Sequence, residues 1–165
     1  MNTDTNTDLT TLTEGTPPPL PGFVVSSFSP LVAAAADRCL RARHGDPPAA
    51  DDVGERTAIV LVSASGDATM AEHVAHAVDT AARIGPLLFF QAVPNSVAGH
   101  VAARWGLRGP VVCLCPMGEP EADGLAQAQL LIEDGDADEV LVVLVEQAGA
   151  AQSARALLVT EGDVR

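Results

Sequence analysis

Apolar residues along this chain fall in two rhythms. Arg56–Ser63 (RTAIVLVS) and Glu139–Glu146 (EVLVVLVE) are short, nearly continuous apolar runs rich in β-branched residues, the mark of strands buried on both faces. Pro110–Cys115 (PVVCLC) and Ala156–Thr160 (ALLVT) read as two more strands. Between them the apolar positions recur with helical spacing. Pro30–Gly45 carries Val32, Ala36, Cys39 and Leu40 on one face, and Gly45 supplies the stop. Thr69–Ile84 carries Met70, Val74, Ala77, Val78 and Ala81 and ends at Gly85-Pro86. Ser96–Trp105 shows Val97, Val101 and Trp105; Glu121–Glu133 shows Leu125, Ala128, Leu131 and Ile132. Pro86–Val93 (PLLFFQAV) is apolar without a clear period, and DPPAADDVGE reads as a polar loop.

The resulting order is α-β-α-α-β-α-β-β. Strands separated by helices of ten or more residues need crossovers, so the expected fold is α/β, a mostly parallel sheet covered by helices. Residues 1–22, Thr, Asn and Asp followed by TPPPLPG, read as a disordered N-terminal tail, with one domain over 23–165.

Composition narrows the function classes. The net charge is −13, and all nine cationic residues are Arg, which argues against nucleic-acid or anionic-membrane partners. The N-terminus has neither the basic nor the apolar region of a signal peptide, and no apolar run reaches membrane length. Three Cys, an odd number without a disulfide framework, fit a reducing cytoplasm. His73 and His76 stand at i, i+3, but no further ligand is signposted, so a solvated helix face is the expectation and no metal or cofactor is implied. Cys113 and Cys115, two apart on a strand, read as small apolar residues sharing one side. The acids of EPEAD and EDGDADE suit a helix start and a helix-to-strand turn.

One stretch carries more. In VPNSVAGHVAARWGLRGPVV, Asn95, Ala98, Gly99, Val101, Ala102, Gly106, Leu107, Arg108, Gly109 and Pro110 form a pattern that resembles the segment before the active-site cysteine of β-ketoacyl synthases, of the thiolase-like superfamily. The helix and strand of LAQAQLLIEDGDADEVLVVLVE and the strand of RTAIVLVSASGD resemble neighbouring parts of that family. The resemblance covers about residues 23–147 and implies the N-terminal half of a thiolase-like fold, with Gly22–Ser27 as the one candidate for the family's first strand.

In that register the nucleophile falls nine residues after Gly109 and seventeen before Gly135, and both counts land on Gly118. The resemblance therefore implies a degenerate nucleophile position. It also implies a noncatalytic accessory subunit of chain-length-factor type in polyketide or fatty-acid-type biosynthesis. Such a subunit would be a cytoplasmic dimer, pairing through the 110–115 strand with a ketosynthase-like subunit or with itself, and would meet an acyl carrier protein. Two alternatives stand beside it: an acyltransferase of β-ketoacyl synthase type using Cys115, and a degenerate ketosynthase fragment.

Overall fold

The computed structural model describes residues 10–13, 16–148 and 151–163. Its elements in chain order are β1 (Thr10–Thr13), α1 (Phe28–His44), α2 (Asp51–Glu55), β2 (Thr57–Val62), α3 (Ala68–Asp79), α4 (Pro86–Gln91), α5 (Pro94–Trp105), β3 (Val111–Leu114), α6 (Pro120–Glu133), β4 (Glu139–Ala148) and β5 (Ala151–Thr160). The strands form one sheet in the order β1-β5-β4-β2-β3.

The expected parallel pairing holds for β3, β2 and β4, with Leu61 opposite Cys113 on one side and Val143 on the other. Beyond β4 the sheet turns antiparallel, because β5 returns as a hairpin and β1 adds to its far side. The sheet is therefore mixed. Its last strand begins at Ala151 instead of the expected Ala156: AQSAR carries too few apolar residues to announce a strand, yet ten-residue β4 lies alongside to pair with. Thr10–Thr13, inside the segment read as a tail, pair with β5 at Ser153–Ala156, while Gly22–Ser27 holds only a Leu20–Phe23 bridge and no strand. Residues 1–9 of that segment lie outside the described residues.

Alternation along the strands builds two cores. Ile59, Leu61, Leu141 and Val143 face α1 and α5, where Phe28, Leu40, Val97 and Trp105 meet them. Ala58, Val60, Val62, Val140 and Val142 face α6, where Ala128 and Leu131 meet them. All six residues of β2 are buried, as a strand covered on both faces requires.

Close backbone approaches fix the frame. Gly109 N–H donates to Thr57 O at 3.1 Å, and a Cβ at Gly109 would lie 2.5 Å from that oxygen. Gly124 lets α6 sit flush on the sheet: a Cβ there would lie 3.0 Å from both Val62 and Val142 side chains. Both positions are helix or turn glycines whose need shows only in three dimensions. Asp37 ties α1 to α5. Its carboxylate accepts from Arg41 Nε at 2.7 Å, Arg104 Nε at 2.9 Å and the buried Trp105 Nε1 at 3.2 Å. At the C-terminal end of α1, His44 Nε2 and Glu139 Oε1, both nearly buried, stand 2.8 Å apart and join the helix to the start of β4.

The second of the expected long helices is shorter than its pattern. α3 ends at Asp79 and buries only Met70 and Ala77, while Val78 is 65% exposed and Ala81 takes a positive φ of 53° beyond the helix end. Pro86–Gln91 forms the short helix α4, and Asp51–Glu55, read as loop, forms α2.

Two predictions follow from this packing. Gly109→Ala should lower the urea-denaturation stability by ~1–3 kcal/mol, because backbone has to move to admit the methyl. Gly99→Ala, where a Cβ meets nothing within 4 Å, should raise it by ~0.5–1 kcal/mol through helix propensity. The second concerns acid. Burial works to raise the Asp37 carboxyl, but hydrogen bonds and charge from Arg41 and Arg104 outweigh it and hold the group below its ordinary 3.8. A depressed folded value means stabilisation present above the unfolded value and lost as pH falls through the folded one. Asp37→Asn should therefore be less stable than wild type at pH 7, and the two should converge below about pH 4 in thermal melts.

Candidate functional site

The turn between β3 and α6 sits at the C-terminal end of the parallel strands, where open α/β sheets place their ligands. The β3 burial pattern alternates because the strand is at the sheet edge. Pro110 O and Leu114 O accept from Ile59 of β2 and from Ser63 just after it, so alternation leaves the N–H groups of Val111 and Cys113 facing away from the sheet. Pro120 at the first turn of α6, with Glu119 extended before it, sets the helix start.

Gly118 lies in this turn, two residues before α6. Its N–H and that of Met117 both donate to one oxygen, Oδ2 of Asp123, at 2.9 and 2.7 Å. Two backbone donors at a helix start are the arrangement that favours a thiolate and holds an oxyanion. Here a carboxylate of the chain's own helix takes both. A Cβ built on Gly118 would meet only Asp123 Oδ1, at 3.7 Å, so the turn has room for a side chain it does not carry. Asp123 belongs to the EPEAD acids, which the sequence marked only as helix-start charge. Its reach back to Met117 and Gly118 depends on how tightly the turn closes, which no spacing reports.

The other candidates are not brought to this point. Cys115 is exposed at the strand end, and its sulfur lies 3.6 Å from Ala64 O and 3.9 Å from Pro116 O, with no base among these partners. Cys113, expected as a buried apolar residue, is exposed along the edge, and its thiol donates to Asn95 Oδ1 at 2.8 Å; partial desolvation of the sulfur pushes its pKa up. The expectation fails because β3 is the edge strand of the sheet among the described residues. Cys39 is the buried cysteine. His73 and His76 are exposed on α3, and among the described residues no cluster of three or more His, Cys, Asp or Glu is placed to hold a metal. His100 stacks edge-on against Phe23, with ring centroids 6.1 Å apart, in an apolar cleft of about 450 Å³ that Leu87, Phe90 and Gly99 also line. No helix of the described residues is long and apolar enough to cross a membrane.

The same arrangement of elements occurs in solved structures. One chain of the complex between the ketosynthase ApeO and its chain length factor ApeC, from Xenorhabdus doucetiae, superposes with a TM-score of 0.69 at 23% identity, over 90% of this chain and 64% of that one. The ishigamide ketosynthase/chain length factor gives 0.69 at 20% identity, over 88% of this chain and 47% of that one. This chain has a thiolase-like, ketosynthase-related fold. The type II polyketide synthase ketosynthase AntDE, solved with the acyl carrier protein AntF and bound to the hexaketide, gives 0.64 at 13% identity, over 84% and 48% of the two chains. The ketosynthase-like chain thus spans between about half and two thirds of the chains it matches. No family model and no curated protein matches its sequence.

The geometry of the turn makes a prediction. Gly118→Cys should fold with little loss of stability, yet its thiol should alkylate slowly with iodoacetamide, because Asp123 holds the N–H groups and opposes a second anion. In Gly118→Cys/Asp123→Asn the alkylation rate at pH 7 should rise severalfold; equal rates in the two variants would remove Asp123 from this role.

Proposed function

We infer that this chain is a noncatalytic, ketosynthase-like accessory subunit of the chain-length-factor kind, working in a cytoplasmic polyketide or fatty-acid-type pathway. The observation that carries the reading is Gly118, a residue without a nucleophile at the position the register assigns to one, with its N–H given to Asp123. A subunit that cannot be acylated acts through what it binds. The fold neighbours are, by their descriptions, ketosynthases with chain length factors and a ketosynthase with its acyl carrier protein, which supports a ketosynthase-like partner and a carrier-protein contact for the assembled pair.

The partner is expected along β3. Its outer N–H groups at Val111 and Cys113 are positioned to continue the sheet, and Val111 is 41% exposed. An apolar strand edge of this kind seeks another strand. Leu87, Phe89 and Phe90 of α4, exposed by 61%, 72% and 53%, extend the apolar surface near Asn95, to which Cys113 is bonded. Exposed aromatic residues at such density mark an interaction surface.

A second reading, acyl transfer through Cys115, rests on the exposure of that thiol beside the turn. Intact-mass analysis after incubation with an acyl thioester separates the two: acylation at Cys115 would establish the transferase.

The deciding experiment is light scattering on the chain alone and mixed with a ketosynthase from the same organism. A one-to-one complex is expected. Cys113→Pro, which removes an outward N–H and leaves the β2 ladder intact, should fold and weaken that complex by about tenfold or more. A chain that ignores the ketosynthase, or a complex indifferent to this substitution, overturns pairing through β3.

A further inference from the structure

Free cysteine is among the most buried residue types, yet Cys113 and Cys115 are both exposed. Neither fills a core. Val112 and Leu114 pack against the α6 core, so alternation turns Val111, Cys113 and Cys115 to the α5 side of the sheet. The ladder to β2 runs on past the strand end, where Ser63 N–H donates to Leu114 O at 3.1 Å, and this keeps Cys115 in line. The two thiols thus neighbour each other on one side of the edge strand. One donates to Asn95 Oδ1 at 2.8 Å, and the other lies 3.6 Å from Ala64 O.

Spacing selects what such a pair can do. At a rise of about 3.3 Å per residue, the two Cα atoms lie about 6.6 Å apart. That is near the outer limit for a disulfide, whose sulfurs have to close to about 2.0 Å. Two sulfurs on one metal ion, at about 2.3 Å each, need come only within about 4.6 Å of each other, which χ1 rotation supplies. The number of ligands narrows the metal. Among the described residues no group of three or more His, Cys, Asp or Glu is placed to hold one. Structural zinc takes four ligands, and calcium takes six or more oxygens. Soft thiolates select Cu(I), an ion that two sulfurs in line satisfy.

Charge agrees with this choice. Two thiolates on a monovalent ion leave one net negative charge. The twelve-residue helix α5 starts beside Cys113 and has no acid in its first turn, so its dipole favours that charge.

We propose that Cys113 and Cys115 form a two-thiolate binding site for a soft monovalent metal ion of the Cu(I) kind. Each thiol gives its proton to solvent as it binds, and the ion keeps its oxidation state. The site uses side chains on the α5 side of the sheet and is independent of the accessory-subunit reading.

The test uses the full chain, reduced and under nitrogen, with Cu(I) offered from a chromophoric chelator such as bicinchoninate. The chain should take one Cu(I) from the chelator and bind Zn(II) more weakly. Cys113→Ser and Cys115→Ser should each lose about tenfold or more in Cu(I) affinity, while Cys39→Ala, at the buried cysteine, should bind as wild type does. X-ray absorption on the loaded protein should show two sulfur neighbours. In the wild-type chain bound Cu(I) should shield both Cys113 and Cys115 from iodoacetamide, located by peptide mass, which reads the site without any variant. Failure to take Cu(I), shielding of only one of the two thiols, or unchanged affinity in either serine variant would overturn the proposal. So would Zn(II) binding as tight as Cu(I), or one copper shared between two chains, since that places the ion between copies.

Discussion

The parallel pairing of β2 with β4 is the constraint on which the rest of this structure depends. Thr57–Val62 run beside Glu139–Leu144 in unbroken register, and these two strands contribute side chains to both cores. Buried main-chain groups have to be paired, and here the ladder pairs them while the side chains alternate between α1/α5 and α6. The order β3-β2-β4 is completed by crossovers through α3–α5 and through α6, with α5 and α6 on opposite faces of the sheet. Loss of that pair would dissolve both cores together.

The same pair places the candidate site. β3 lies outside β2, so its end and the start of α6 come together at the C-terminal edge of the sheet. Gly124 brings α6 down onto Val62 and Val142. With the helix so close, Asp123 one residue earlier is near enough for its carboxylate to accept from Met117 and Gly118. A turn that in its overall form suits a nucleophile is thus closed by the chain's own anion. Two features oppose thiolate chemistry at one point: the missing side chain at 118 and the charge that occupies its donors. They act in the same direction.

The surface reflects a fold whose sides are unequally finished. The α1/α5 side is closed by a wide core and by the Asp37 hub between the helices. The β3 edge, α4 and the outer side of α6 keep apolar groups in water. A chain with only 3% aromatics exposes Phe89 and Phe90 on one short helix.

Much of this was legible in the residues. Continuous apolar runs identify β2 and β4, because burial on both faces removes alternation. The helical periods of α1, α5 and α6 survive as buried stripes, and the Gly109/Gly135 register singled out Gly118. What needed three dimensions shares one physical cause: each such feature is a contact between segments far apart in the chain. β1 and the first half of β5 are strands by pairing, with little apolar signal of their own. Cys113 is exposed because among the described residues no strand lies beyond β3, and Val78 because α3 buries only Met70 and Ala77. Local sequence thus determined which segments are helix or strand and that position 118 carries no nucleophile, since both are properties of neighbouring residues. Tertiary structure alone decided that Asp123 closes the turn and that Gly124 must stay without a side chain, since both depend on how closely α6 settles against Val62 of β2 and Val142 of β4.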